Sequence, residues 1–185
     1  MRNILTVFGL ICVMLMVSNA RIMQFEDLIN CKRISDPHYS PDGDFIAFTL
    51  KQASLENNKY SSEIRIISEQ GKEIQTIGKD SISVSHPRWS PKGDKLAFIS
   101  DKTDTPQIWF YDVKEQKTEQ FTDHYTGVKS FVWSNRGEKI AFSTRVYPDC
   151  ETQEANKKRD NKKEASDIEA RVYEGLMLRH WNEWW

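Results

Sequence analysis

The chain has 185 residues, with 26 Lys and Arg against 27 Asp and Glu and a net charge of -1, enough for one ordinary domain and too short for two large ones. That balance gives no whole-chain reason to expect nucleic acid or an anionic membrane surface as a partner. With 38% hydrophobic and 11% aromatic residues, the composition is that of a folding chain and not of a disordered one.

The first element in chain order is a targeting segment over residues 1–20. Arg2 precedes an apolar run from Ile4 to Val17, broken only by Thr6 and Gly9, that ends in Ser18, Asn19 and Ala20. Small residues one and three places before a cleavage point mark a secretory signal peptide. The run is shorter than the roughly 20 apolar residues that cross a bilayer, so cleavage and export to the periplasm or the outside are expected, with no stable membrane insertion afterwards. Cys12 follows the bulky Leu10 and Ile11, which argues against a lipidation site. Residues 21–34 are expected to form a helical lead-in.

A repeated phrase then organises the chain. It occurs over 37–48 (PHYSPDGDFIAF), 87–98 (PRWSPKGDKLAF) and 131–142 (FVWSNRGEKIAF), and its serines, Ser40, Ser90 and Ser134, are 50 and then 44 residues apart. That period suits a four-stranded propeller blade. Pro41 and Pro91 pre-set the second position of a tight turn, and Gly43, Gly93 and Gly137 supply the conformation that closes it. Each phrase is therefore a hairpin. The runs after the turns are short and apolar, as in strands buried between stacked sheets, and Ala47, Ala97 and Ala141 are expected where neighbouring sheets approach closely.

In the first repeat Glu63 to Ile67 and Lys72 to Ile77 flank the turn Glu69 to Gly71, and in the second Gln107 to Val113 and Lys117 to Phe121 flank Lys114 to Gln116. Each set adds a second hairpin, giving a four-stranded antiparallel sheet. The fold class expected is all-β: a partial β-propeller with blade one over about 35–80, blade two over about 85–124 and half of a third over about 129–185. A short helical segment is expected at each end.

The third repeat runs into residues 151–169, of which 11 of 19 are charged. Lys157, Lys158, Arg159, Lys162 and Lys163 alternate with Glu154, Asp160, Glu164 and Asp167, which reads as a solvated loop and not as a nucleic-acid patch. Ile168, Val172 and Leu176 repeat every four residues and Ser166 with Glu169 has capping-box spacing, so a short helix follows. The chain closes on the aromatic-rich run Leu178 to Trp185. There Arg179, His180, Trp181 and Glu183 bring a cation, an imidazole, an indole and a carboxylate together beside an insertion. They are the substrate-contact candidates, with packing of Trp181 and pairing of Arg179 with Glu183 as the structural alternative.

Export permits a disulfide, and Cys31 with Cys150 is the one pair left after cleavage; two separate thiols are the alternative. His38, His86, His124 and His180 are far apart with no Cys-x-x-Cys nearby, so no metal site is suggested. No cofactor is expected.

The opening Phe25 to Leu28, the phrase Ser35 to Gly43, and Arg179 to Trp184 after a charged insertion resemble the start of secreted prolyl oligopeptidase family serine peptidases, in the dipeptidyl-peptidase and acylaminoacyl-peptidase branch. Asn182 stands where that branch usually has Asp. The resemblance implies a propeller followed by an α/β-hydrolase domain whose Ser-Asp-His triad cuts oligopeptides. No Gly-x-Ser-x-Gly elbow occurs in this sequence, so no catalytic residue is carried over. The expectation is an N-terminal propeller fragment, inactive alone, whose partners are the missing blades and catalytic domain and, in the full-length relative, an oligopeptide. The alternative is a non-enzymatic TolB-like exported propeller module that binds protein. Either way an open ring should expose apolar faces and an unpaired strand near Lys139 to Thr144, and should aggregate unless capped.

Overall fold

The computed structural model describes residues 21–56, 58–78 and 83–166. A six-residue helix, α1 (Phe25–Asn30), begins where the Asp27 carboxylate accepts the Gln24 N–H at 2.9 Å. It packs against the first sheet. That sheet comprises β1 (Arg33–Tyr39), β2 (Phe45–Ser54), β3 (Lys59–Ser68) and β4 (Glu73–Ile77). The second comprises β5 (Val84–Trp89), β6 (Lys95–Ser100), β7 (Gln107–Asp112) and β8 (Lys117–Gln120). Both are antiparallel with their strands in chain order, and β9 (Ser130–Trp133) and β10 (Ile140–Ser143) form a third, two-stranded sheet. Among the described residues these sheets do not close into a ring, and β10 has a strand partner on one side only.

Each repeated phrase folds into a β-hairpin whose turn is closed by its glycine. Gly43, Gly93 and Gly137 take φ of 84°, 73° and 71°, and their N–H groups bond the carbonyls of Ser40, Ser90 and Ser134 at 3.0, 2.9 and 2.9 Å. The repeated serine has its own task. Its Oγ accepts the N–H of the residue five places on, at or just before the start of the next strand: Phe45, Lys95 or Lys139, at 2.9, 3.3 and 3.0 Å. Successive turns also nest: a Cβ on Gly93 would sit 3.5 Å from Pro41 Cδ, and one on Gly137 would sit 3.1 Å from Pro91 Cδ.

Strand alternation sorts the side chains into two kinds of sheet face. In the first sheet Ala47, Ile64, Ile66 and Ile77 point one way, and against them pack Trp89, Leu96, Phe98, Trp109 and Tyr111 of the second. The opposite face of the second sheet, with Ala97, Ile99, Ile108 and Phe110, packs against Phe131, Trp133 and Ile140 of the third. One face of each junction thus carries the small alanine and the other the aromatic of the phrase. Ala47 and Ala97 are fully buried, as expected from the sequence, but Ala141 is exposed. No described sheet lies beyond it, so its smallness has nothing to accommodate.

The charged stretch differs from its expectation as a solvated loop: it contains the helix α2 (Gln153–Glu164). The Thr152 side chain accepts the Ala155 N–H, Glu154 lies in the first turn, and Lys162 and Lys163 lie in the last, matching the helix dipole. Gln, Glu, Ala, Lys and Arg are good helix formers, and charge density alone hid that propensity. The helix expected over Ile168 to Leu176 lies outside the described residues. Cys31 and Cys150 are both free thiols, exposed and half-buried respectively, so the bridge weighed from the sequence is not made.

Candidate functional site

The four candidates Arg179, His180, Trp181 and Glu183 lie outside the described residues. The turn residues Pro41, Gly43, Pro91, Gly93 and Gly137 sit in the hairpin turns, where their contacts are structural. Two other groupings of polar side chains emerge from the fold.

The first is a seam across the leading strands. β1, β5 and β9 lie side by side, and β1 and β5 each carry a register shift, between Ser35 and His38 and between Ser85 and Arg88. At these bulges Asp36 and His86, equivalent in the repeat, take positive φ of 54° and 59°. Both precede a proline, which has no N–H to give a ladder, so the chain steps out of register there. The Arg88 guanidinium donates to the Asp36 carboxylate at 2.8 Å and to the Pro87 carbonyl at 2.7 Å. His86 Nε2 donates to the Phe131 carbonyl at 3.1 Å, and its Nδ1 stands 3.6 Å from Asp36. The Trp89 N–H donates to His38 Nδ1 at 3.3 Å, and Trp133 Nε1 donates to the Arg88 carbonyl at 3.2 Å. Burial, and then the positive charge of Arg88, hold the His38 imidazole below its usual pKa, with Asp36 opposing and His86 adding to the depression. A neutral His38 fits its role as acceptor.

The second is an open cleft of about 630 Å³ at the other end of the sheets from the glycine turns, lined by the β6–β7 loop (Thr103 to Thr105), the β8–β9 loop (Asp123 to Tyr125) and the start of α2 (Gln153, Glu154, Lys157). Its frame is Gln107, 1% exposed, whose side-chain amide is fully used. Nε2 donates to the His124 carbonyl at 2.8 Å and to Thr105 Oγ1 at 2.9 Å, while Oε1 accepts the His124 N–H at 3.0 Å and the Thr122 hydroxyl at 2.8 Å. The Tyr125 N–H donates to Gln153 Oε1 at 2.7 Å, which fastens α2 to this loop. Buried Asn156 accepts the Tyr147 N–H at 2.7 Å and donates to the Thr152 carbonyl at 2.7 Å, and the Tyr147 hydroxyl donates to Asp160 at 2.6 Å. The insertion is thereby seated on the body by side chains that composition alone does not single out.

In the cleft, His124 Nδ1 stands 3.2 Å from the hydroxyls of both Thr126 and Thr144, and among the described residues no three or more His, Cys, Asp or Glu converge as metal ligands. Sequence reasoning missed the seam; Pro37 and Pro87 inside strands were its available signal.

Antiparallel sheets packed face to face with their leading strands adjacent define an open β-propeller architecture. The model of the TolB beta propeller domain matches residues 14–169, and the chain belongs to that family. An uncharacterized peptidase YuxL of Bacillus subtilis is 33% identical over 128 residues, covering 65% of this chain and 18% of the relative. Dipeptidyl-peptidase 5 of Porphyromonas endodontalis is 21% identical over 167 residues, covering 90% of this chain and 23% of the relative. Among solved structures, the acylaminoacyl peptidase of Pyrococcus horikoshii superposes with a TM-score of 0.55 at 25% identity, over 68% of this chain and 19% of that one. The chain therefore spans about a fifth of these relatives, and what it shares with them is propeller. No helix among the described residues is long and apolar enough to cross a membrane.

Proposed function

We propose that this chain is the N-terminal propeller portion of an exported serine peptidase that hydrolyses oligopeptides, supplying wall and entrance and no chemistry of its own. The observation that carries the reading is that the sequence relatives and the solved structure above are peptidases, matched over a propeller segment of each. The absence of a Gly-x-Ser-x-Gly elbow from the sequence agrees with a non-catalytic role. Export rests on the signal-peptide pattern of residues 1–20, and cleavage leaves Arg21 as the first residue. In the complete enzyme Arg179, His180, Trp181 and Glu183 are the substrate-contact candidates.

Sequencing the transcript past the codon for Trp185 tests this. The expected result is further Ser-Pro-x-Gly repeats and then a Gly-x-Ser-x-Gly elbow, in frame or after one shift. A stop codon with no such sequence beyond it overturns the peptidase reading for this product.

A further inference from the structure

The β2–β3 hairpin is ten residues long in each strand, against six in its equivalent, β6–β7. At roughly 3.3 Å per residue it reaches about 13 Å further, at the end of the sheets where the cleft opens. On this arm Arg33 of β1 stands directly opposite Lys51 of β2, and Tyr60 of β3 opposite Ala53, which puts Arg33, Lys51 and Tyr60 on one face. The same face carries Ala47 and Ile64 further along the strands and is turned toward the second sheet, so it is not an end of the stack. The Lys51 ammonium lies 4.5 Å from the centre of the Tyr60 ring and the Arg33 guanidinium 6.0 Å from it; one ring braces both cations. All three side chains are exposed. Elsewhere cations meet carboxylates: Arg65 meets Glu63 and Glu73, Arg88 meets Asp36, and Lys95 meets Glu119. Among the described residues Arg33 and Lys51 meet none. Like charges directly opposite one another oppose strand pairing, and an anion held between them removes that cost.

The geometry points to a carboxylate site on this arm: Arg33 and Lys51, steadied by Tyr60, take the carboxylate of a peptide, from an Asp or Glu side chain or from a chain terminus. The guanidinium can donate two parallel N–H bonds to the two carboxylate oxygens, and the ammonium adds a further donor. Two convergent cations suit one carboxylate, whereas a nucleic acid strand is tracked by a longer row of them. The site deepens the peptidase reading and rests on it only for calling the peptide a substrate. Binding is measured without cleavage, so its failure is distinct from a failure of that reading at the transcript.

Fluorescence anisotropy tests it with the full chain and three labelled peptides: one blocked at both ends with Asp and Glu side chains, one neutral with a free C-terminus, and one neutral and blocked at both ends. A carboxylate-bearing peptide is expected to bind at least about tenfold tighter than the blocked neutral one, and which of the two does so tells side chain from terminus. Arg33→Gln and Lys51→Gln should each weaken that binding about tenfold. Lys51→Arg should retain it, and Lys72→Gln, at the opposite end of the sheets, should leave it unchanged. Thermal melts separate binding from structure, since removing one of two like charges should leave the melting temperature level or raise it. Equal binding of all three peptides overturns the proposal, as do Arg33→Gln and Lys51→Gln variants that bind like the wild type. A single-stranded oligonucleotide bound as tightly as the acidic peptide also overturns it. So does weakened binding matched by a fall in melting temperature, which marks the two cations as structural.

Discussion

The second and third copies of the repeated phrase are nearly the same sentence in different surroundings. In the second, Trp89, Leu96, Ala97 and Phe98 are all buried, Phe98 to 1% exposure; in the third, the equivalent Phe142 is 42% exposed and Ala141 is open. Both nevertheless make the same glycine-closed turn and serine bond at similar distances. The phrase therefore encodes a hairpin by itself, and burial is conferred by whichever sheets stand on either side.

The sharpest way to break the comparison is to truncate the same ring in both copies. Phe98→Ala should cost about 3–5 kcal/mol by leaving a cavity between packed sheets, while Phe142→Ala should cost about 1 kcal/mol or less. Urea unfolding of the two variants checks this, and equal losses would show that the third hairpin is as deeply packed as the second.

A smaller effect is expected at the turns. Gly137→Ala should cost about 1–2 kcal/mol through its left-handed backbone, and more than Gly43→Ala, because the new methyl meets Pro91 while a Cβ on Gly43 meets nothing within 4 Å. Thermal melts of the pair measure the difference, which isolates the nesting of one turn on the next from the turn conformation they share.

The smallest effect is that of pH on the seam. His38 has its imidazole held below the ordinary value of 6.5, by burial first and by Arg88 next. Because the folded state binds the proton less readily than the unfolded one, its contribution is full above the unfolded value of about 6.5 and is lost as the pH falls through the folded value. Arg88 and His86 disfavour the added charge and Asp36 favours it, so the melting temperature should drop on going from neutral to mildly acidic buffer. His38→Gln should flatten that slope; an unchanged slope would place the titration elsewhere.

Much of this architecture was legible in the sequence. Proline and glycine at fixed offsets announced the turns, alternation announced the strands, and the 50- and 44-residue spacings of Ser40, Ser90 and Ser134 announced the sheets. Helix α2 was misread because its residues are so heavily charged, although Thr152, Glu154 and the closing lysines carry ordinary capping information. The polar seam was not read at all. Asp36 and Arg88 are 52 residues apart and His86 reaches Phe131 across 45, and no local rule spans such distances.

What the sequence determined by itself is each hairpin, since its turn chemistry and strand period act over a few residues and hold in all three copies. What the tertiary structure alone decided is which equivalent positions become core, seam or open face. Ala97 and Ala141 are the same residue in the same phrase, and one is sealed while the other faces solvent, because burial depends on the area that neighbouring sheets remove from water and not on the residue itself.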